Sequence, residues 1–109
     1  MATIYKVLGQ SAPAATTLTT LYTVPLATAT VISTLAICNQ SATAATFRLA
    51  IRVNGAALDV KQYLNYDTPV SGNDTITLTI GMTLAAGDII SIYASTNTLS
   101  FSAFGSEVA

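Results

Sequence analysis

The sequence has no histidine and no tryptophan, and Cys38 is its single cysteine. Without histidine, the commonest general base and the commonest neutral metal ligand are both missing. One cysteine excludes an intrachain disulfide and leaves the redox compartment open. Charge is equally scarce. Asp, Glu, Lys and Arg make up 8% of the 109 residues, against about 25% in an ordinary soluble domain. The basic residues Lys6, Arg48, Arg52 and Lys61 are scattered, so the clustered phosphate contacts of a nucleic-acid-binding surface are absent. The most membrane-like stretch, Val24 to Cys38, is shorter than the roughly 20 residues of a spanning helix and carries Pro, Ser and Thr. The opening MATIYKVLGQ lacks the apolar core of a secretory signal. No nucleic acid and no membrane is therefore expected as a partner.

What the chain has is apolar and hydroxyl surface. Hydrophobic residues make up 51% and the mean hydropathy is +0.58. Thr and Ala are the commonest residues. Thr favours strands and tolerates solvent, so neutral hydroxyl faces take the place of charged ones. Low charge weakens colloidal repulsion, which points to a surface that largely meets other protein, the alternative being a monomer with a neutral surface. The length suits one domain, residues 1–109.

Short alternating runs separated by turn signals predict about eight strands and no packed helix, that is, an all-β antiparallel β-sandwich. The expected strands are Thr3–Leu8, Thr16–Val24, Thr30–Asn39, Thr46–Val53, Lys61–Tyr66, Thr75–Ile80, Ile89–Ser95 and Thr98–Phe104. In Thr46–Val53, Phe47, Leu49, Ile51 and Val53 alternate with polar or small residues, which gives one buried face. Thr30–Asn39 is apolar at both parities, Val31, Leu35 and Ile37 against Ile32, Ala36 and Cys38. This predicts a strand covered on both sides, with Cys38 a small core residue. In Thr75–Ile80, Ile76, Leu78 and Ile80 should face in. Asn54-Gly55 suits a tight turn, and Asp67 to Asp74 reads as a loop.

Candidate chemistry is thin. Serines are plentiful, but nothing frames or activates one as a nucleophile. The acids Asp59, Asp67, Asp74 and Asp88 fall at expected turns, where Asp serves backbone hydrogen bonding, and Glu107 stands alone near the end. Asp67 and Asp74 make at most a weak calcium site. No catalytic residue, metal site or cofactor is expected. Asn39-Gln40-Ser41 and Asn73-Asp74-Thr75 match the glycosylation triplet. Arg48 and Arg52 share one strand face, about 13 Å apart, and read either as interface anchors or as a solvated face. Tyr63 and Tyr66 suit core packing, subunit packing or a sugar-stacking site. The four residues Arg48, Arg52, Tyr63 and Tyr66 are the candidate assembly interface. Gly87-Asp88 reads as a structural turn, glycine supplying positive φ and the carboxylate capping amides, worth about 1 kcal/mol if it acts like a helix cap.

Two sets of segments carry resemblances. TLYTVP (Thr20–Pro25), the run ending in Cys38-Asn39, and ATFRLAIRVNGAAL (Ala45–Leu58) together resemble small virion proteins of tailed bacteriophages. LAAGDIISIYAS followed by TLSFSAFG resembles the last two strands of TNF/C1q-like jelly rolls, with Ala103 where that pattern has Gly. These resemblances imply a jelly-roll-like sandwich that associates with its own copies, most simply as a trimer, and with virion proteins such as the major capsid or tail proteins. The expected role is structural and non-enzymatic, with capsid decoration first. The alternatives are tail, neck or fibre attachment, or a sugar- or receptor-binding module at a tail tip.

Overall fold

The computed structural model describes residues 2–109. It contains nine strands: β1 Thr3–Ser11, β2 Thr19–Thr23, β3 Ala29–Asn39, β4 Ala45–Arg52, β5 Tyr63–Val70, β6 Thr75–Leu78, β7 Met82–Leu84, β8 Ile89–Ala94 and β9 Leu99–Val108. Single 3-10 turns at Val53–Gly55 and Val60–Gln62 are the only helical pieces among the described residues. All pairings are antiparallel. One sheet has the order β1-β9-β3-β6, with β7 continuing the β6 edge of β3; the other has the order β2-β8-β4-β5. The pairs β1–β9, β2–β8, β3–β6/β7 and β4–β5 are nested like the rungs of one long hairpin rolled into two layers, which is the jelly roll.

The core lies between the sheets. Phe47 on β4 and Phe101 on β9 meet edge to face across the layers, with ring centroids 6.0 Å apart. Leu35, Ile37, Leu49, Ile90, Ile92 and Leu99 pack around them, fully buried.

Bulges set which residues reach that core. On β3 the ladder passes from Ile32–Gly105 to Thr34–Phe104, leaving Ser33 unpaired. Ser33 donates to the Phe104 carbonyl at 3.1 Å. The extra residue switches the parity, so Thr30 and Ile32 point in before it and Leu35, Ile37 and Asn39 after it. The apolar residues at both parities therefore do not mean two covered faces. β3 has one buried face whose phase changes midway, Val31 is exposed, and Cys38 lies half-buried on the outer face instead of in the core. A bulge at Leu21 on β2 likewise buries the consecutive Leu21 and Tyr22. A third, at Leu8 on β1, lies where Gly9 crosses β2. A Cβ at Gly9 would collide with the Leu21 carbonyl, so only glycine allows this approach.

Several strand ends differ from expectation. Val53 has left β4 for a turn and is exposed. Lys61 and Gln62 belong to the turn capped by Asp59, so β5 starts at Tyr63. β5 then runs through Asp67 to Val70, where a loop was expected. Asp67 bends it with a φ of 51°, and Pro69 is tolerated because β5 is an edge strand. β6 stops at Leu78, Ile80 is exposed, and Gly81 turns the chain at a φ of 69°. The short β7 then rejoins β3.

Candidate assembly surface

Three of the four expected interface residues come together on the outer face of the β2-β8-β4-β5 sheet. The Arg48 guanidinium lies 4.1 Å from the Tyr66 ring centroid and 4.4 Å from that of Tyr93. Its Nε donates to Asp67 Oδ1 at 2.8 Å. The Asp67 carboxylate holds the guanidinium above its ordinary pKa. Tyr63 packs edge to face against Tyr66 at 5.0 Å. A sugar stacking on the Arg48 side of Tyr66 would have to displace the guanidinium. Ala50 and Ser91 alternate with inward residues on β4 and β8 yet are buried, with Tyr63 the cross-strand neighbour of Ala50. Arg52 stands apart. Its Nε and Nη2 donate to the carbonyls of Ala56 and Gly55, at 2.9 and 3.3 Å, and tie down the turn after β4. Tyr93 is the member that sequence reading missed. Its signal was its parity, since it alternates with the buried Ile92 and Ala94.

Gly87 and Asp88 form a strap between two loops. Gly87 has a φ of 86°, and Asn54 and Gly55 have φ values of 53° and 70°. Asp88, only 7% exposed, accepts from the Asn54 amide at 2.8 Å and from the Ala85 amide at 2.9 Å. The carboxylate thus holds the turn after β4 against the turn before β8.

At the opposite end Asn39 is buried and fully engaged. Its Nδ2 donates to the carbonyls of Thr43 and Val70, at 2.9 and 3.2 Å, and its Oδ1 accepts from the Ser41 amide and the Thr98 hydroxyl. This glycosylation triplet is therefore closed in the folded chain. Asn73, in the other triplet, is exposed.

A second polar group crosses the sandwich. Glu107 on β9 is buried. It accepts from the Tyr22 hydroxyl of the facing sheet at 2.5 Å and pairs with Lys6 of β1 at 2.9 Å. Tyr22 also contacts the Thr30 hydroxyl at 2.8 Å. The Tyr22 and Lys6 hydrogen bonds hold the Glu107 carboxyl below its ordinary pKa. Burial, then the hydrogen bond to Glu107, pushes the Tyr22 phenol up to about 12.

With these partners assigned, little free charge remains. Asp59 and Asp74 each cap the amide that follows, at Val60 and Thr75. Of all the charged side chains, only Lys61 has no ion-pair or hydrogen-bond partner among the described residues. It borders a groove of about 600 Å³ formed with Ile51, Val53, Ala56, Gln62 and Leu64. No three acids or cysteines converge as metal ligands among the described residues, and the Asp67 carboxylate is occupied by Arg48.

Large apolar side chains are exposed instead. Ile4, Tyr5 and Val7 on β1 are at least half exposed. On the outer face beside them Tyr5, Val31 and Phe104 line a shallow depression of about 310 Å³ floored by Gly105 and Ser106. Comparison with known proteins adds nothing to this geometry: no family model, curated protein or solved structure matches the chain.

Proposed function

We propose that this protein is a non-enzymatic structural component of a bacteriophage particle, which associates with its own copies and with a virion scaffold. The observation that carries the reading is the pairing of apolar exposure with consumed charge. Ile4, Tyr5 and Val7 on β1 and Val31 on β3 face solvent, while nearly every charged group is tied up within the chain. A neutral apolar strip gains from burial at about 25 cal/mol per Å², and exposed apolar patches on soluble domains mark interaction sites. The jelly roll suits the role, being common among viral capsid domains as well as lectins. The resemblance of Thr20–Pro25 and Ala45–Leu58 to tailed-phage virion proteins supplies the particle, with capsid decoration ahead of tail, neck or fibre attachment. The major capsid protein or a tail protein is then the second partner, and the virion the place of action.

The test has two arms. Sedimentation velocity from about 10 μM to about 1 mM, the range of weak protein contacts, should show reversible oligomers of the 11.2 kDa chain. Phage particles lacking the protein should carry it down on co-sedimentation. A monomer throughout that ignores the particles overturns the proposal.

A further inference from the structure

A sandwich of two open sheets has four edges, and three of them are blunted here. The β6/β7 edge is broken between Leu78 and Met82. The β5 edge carries Pro69, the left-handed Asp67 and two register shifts. The β2 edge is five residues long and bulged at Leu21. The fourth edge, β1, is nine residues long.

The two halves of β1 differ. From Gly9 onward it lies against β2, with no room for a Cβ beneath the Leu21 carbonyl. From Thr3 to Val7 every residue is exposed, whichever face it points to. Residues that alternate in direction but not in exposure belong to a strand with both faces and one edge uncovered. β9 takes the hydrogen-bonding groups of the other edge. The half-strand presents Ile4, Tyr5 and Val7 to solvent. Its one charge, Lys6, turns back to Glu107 at 2.9 Å, so the usual device of a free edge lysine against strand addition is missing.

We propose that residues Thr3–Val7 form a docking edge for a second copy of this chain, whose own β1 adds antiparallel across a twofold axis and joins the two β1-β9-β3-β6 sheets. The inference rests on the self-association proposed above and supplies its contact. Charge selects the occupant. The edge offers no unpaired ion to an acidic or basic partner, and suits a neutral strand with large apolar side chains. The β1 of a second copy is such a strand, and antiparallel pairing about a twofold is self-complementary. A threefold ring would require β1 to meet a different edge of its neighbour, and the other three are blunted. Area sets the strength. Tyr5 contributes the largest share of the strip, and aromatic side chains bury about 150–250 Å² when fully covered. The strip as a whole falls short of the standard interface of about 1,600 Å². The pair is therefore weak in free solution and becomes persistent when a scaffold holds copies close together.

Sedimentation velocity, with amide hydrogen exchange at low and high concentration, tests this on three chains: the parent, Tyr5→Lys and Val60→Lys. Tyr5 and Val60 are 83% and 84% exposed, so neither substitution disturbs the core, and thermal melts check that. Val60 lies beside β5, away from the docking edge. The parent and Val60→Lys should associate equally and gain exchange protection at Thr3–Val7. Tyr5→Lys should associate at least about tenfold more weakly, because two added charges face each other across the joint. Association that survives Tyr5→Lys, that Val60→Lys weakens as much, or that leaves Thr3–Val7 unprotected overturns the edge while self-association stands. A monomer at every concentration removes the docking edge together with the self-association it rests on, and co-sedimentation with the particles then decides the virion reading separately.

Discussion

Asp88→Ala removes the single acceptor that holds two loops together. The carboxylate is buried and takes the Asn54 amide at 2.8 Å and the Ala85 amide at 2.9 Å. A hydrogen bond to a charged group contributes about 1.5–3 kcal/mol. Two such bonds set an upper range of about 3–6 kcal/mol. Both amides lie in surface turns that water can reach once the side chain is gone, which favours the lower end, about 3 kcal/mol. This exceeds the about 1 kcal/mol of a helix cap, because one group serves amides more than thirty residues apart in sequence. A domain of this length loses roughly 4 °C of melting temperature per kcal/mol, so calorimetry should record a drop of about 12 °C. Asp88→Asn is the sharper variant. Its amide keeps one acceptor and turns a donor toward the second N–H, so it should recover less than half of the loss. A drop under about 4 °C for Asp88→Ala, or near-complete rescue by Asn, would refute the two-acceptor strap.

Three further outcomes are expected. The Glu107 pKa is lowered in the folded chain, so its contribution is present above the ordinary glutamate value of 4.5 and is lost as pH falls below it. The Tyr22 pKa is raised from 10.0 to about 12, so its contribution is full below pH 10 and disappears as pH climbs toward 12. Melting temperature against pH should show both limbs. Glu107→Gln should flatten the acid limb and Tyr22→Phe the alkaline one, and unchanged profiles would discredit the network. Asn39→Ala leaves the Ser41 amide and the Thr43 and Val70 carbonyls without their partner and should cost about 2–4 kcal/mol in urea denaturation; a loss within about 0.5 kcal/mol would mean that these loops hold without it. Deleting Ser33 removes the bulge and forces either Ile32 or the Leu35–Ile37 pair out of the core. Circular dichroism and melting of this variant should show a chain that is unfolded or destabilised by several kcal/mol, and parent-like stability would sink the parity argument.

The sequence made the sandwich legible because Phe47, Leu49 and Ile51 keep strict period two, and because Pro25, Asn54-Gly55 and Gly87-Asp88 punctuate the chain. It concealed β3's single buried face because a bulge leaves no mark in composition. Ser33 is an ordinary strand residue by propensity, and only its cross-strand partner shows that it is extra. The end of β5 was hidden for the opposite reason. Asp67 and Pro69 are loop formers, and an edge strand tolerates both. In the candidate surface, Arg48, Tyr63 and Tyr66 were found by residue type, but residue type also drew in Arg52, which serves a turn. Ile4, Tyr5 and Val7 stand in the sequence only as residues of an expected strand, Thr3–Leu8, with no sign of which are covered. Their exposure depends on how far β2 extends beneath them, and that is a property of the packing.

The charges connect the core to the surface. A buried carboxylate such as Glu107 is tolerable only when paired and hydrogen-bonded, and Lys6 and Tyr22 meet that demand from two different strands. Meeting it ties the half-exposed Lys6 to Glu107, and a paired Lys6 no longer guards the edge of β1 as a free charge. The interaction that closes the sandwich at β9 is thus also the one that leaves β1 neutral and open to a partner. Glu107→Gln should therefore do more than flatten a pH profile. Lys6, released from its partner at 2.9 Å, would stand as a free charge on the edge strand and oppose strand addition. If β1 is the docking edge, Glu107→Gln weakens association together with Tyr5→Lys although Glu107 itself is buried. Unchanged association in Glu107→Gln, with the fold intact by circular dichroism, would break the link between the buried ion pair and the open edge.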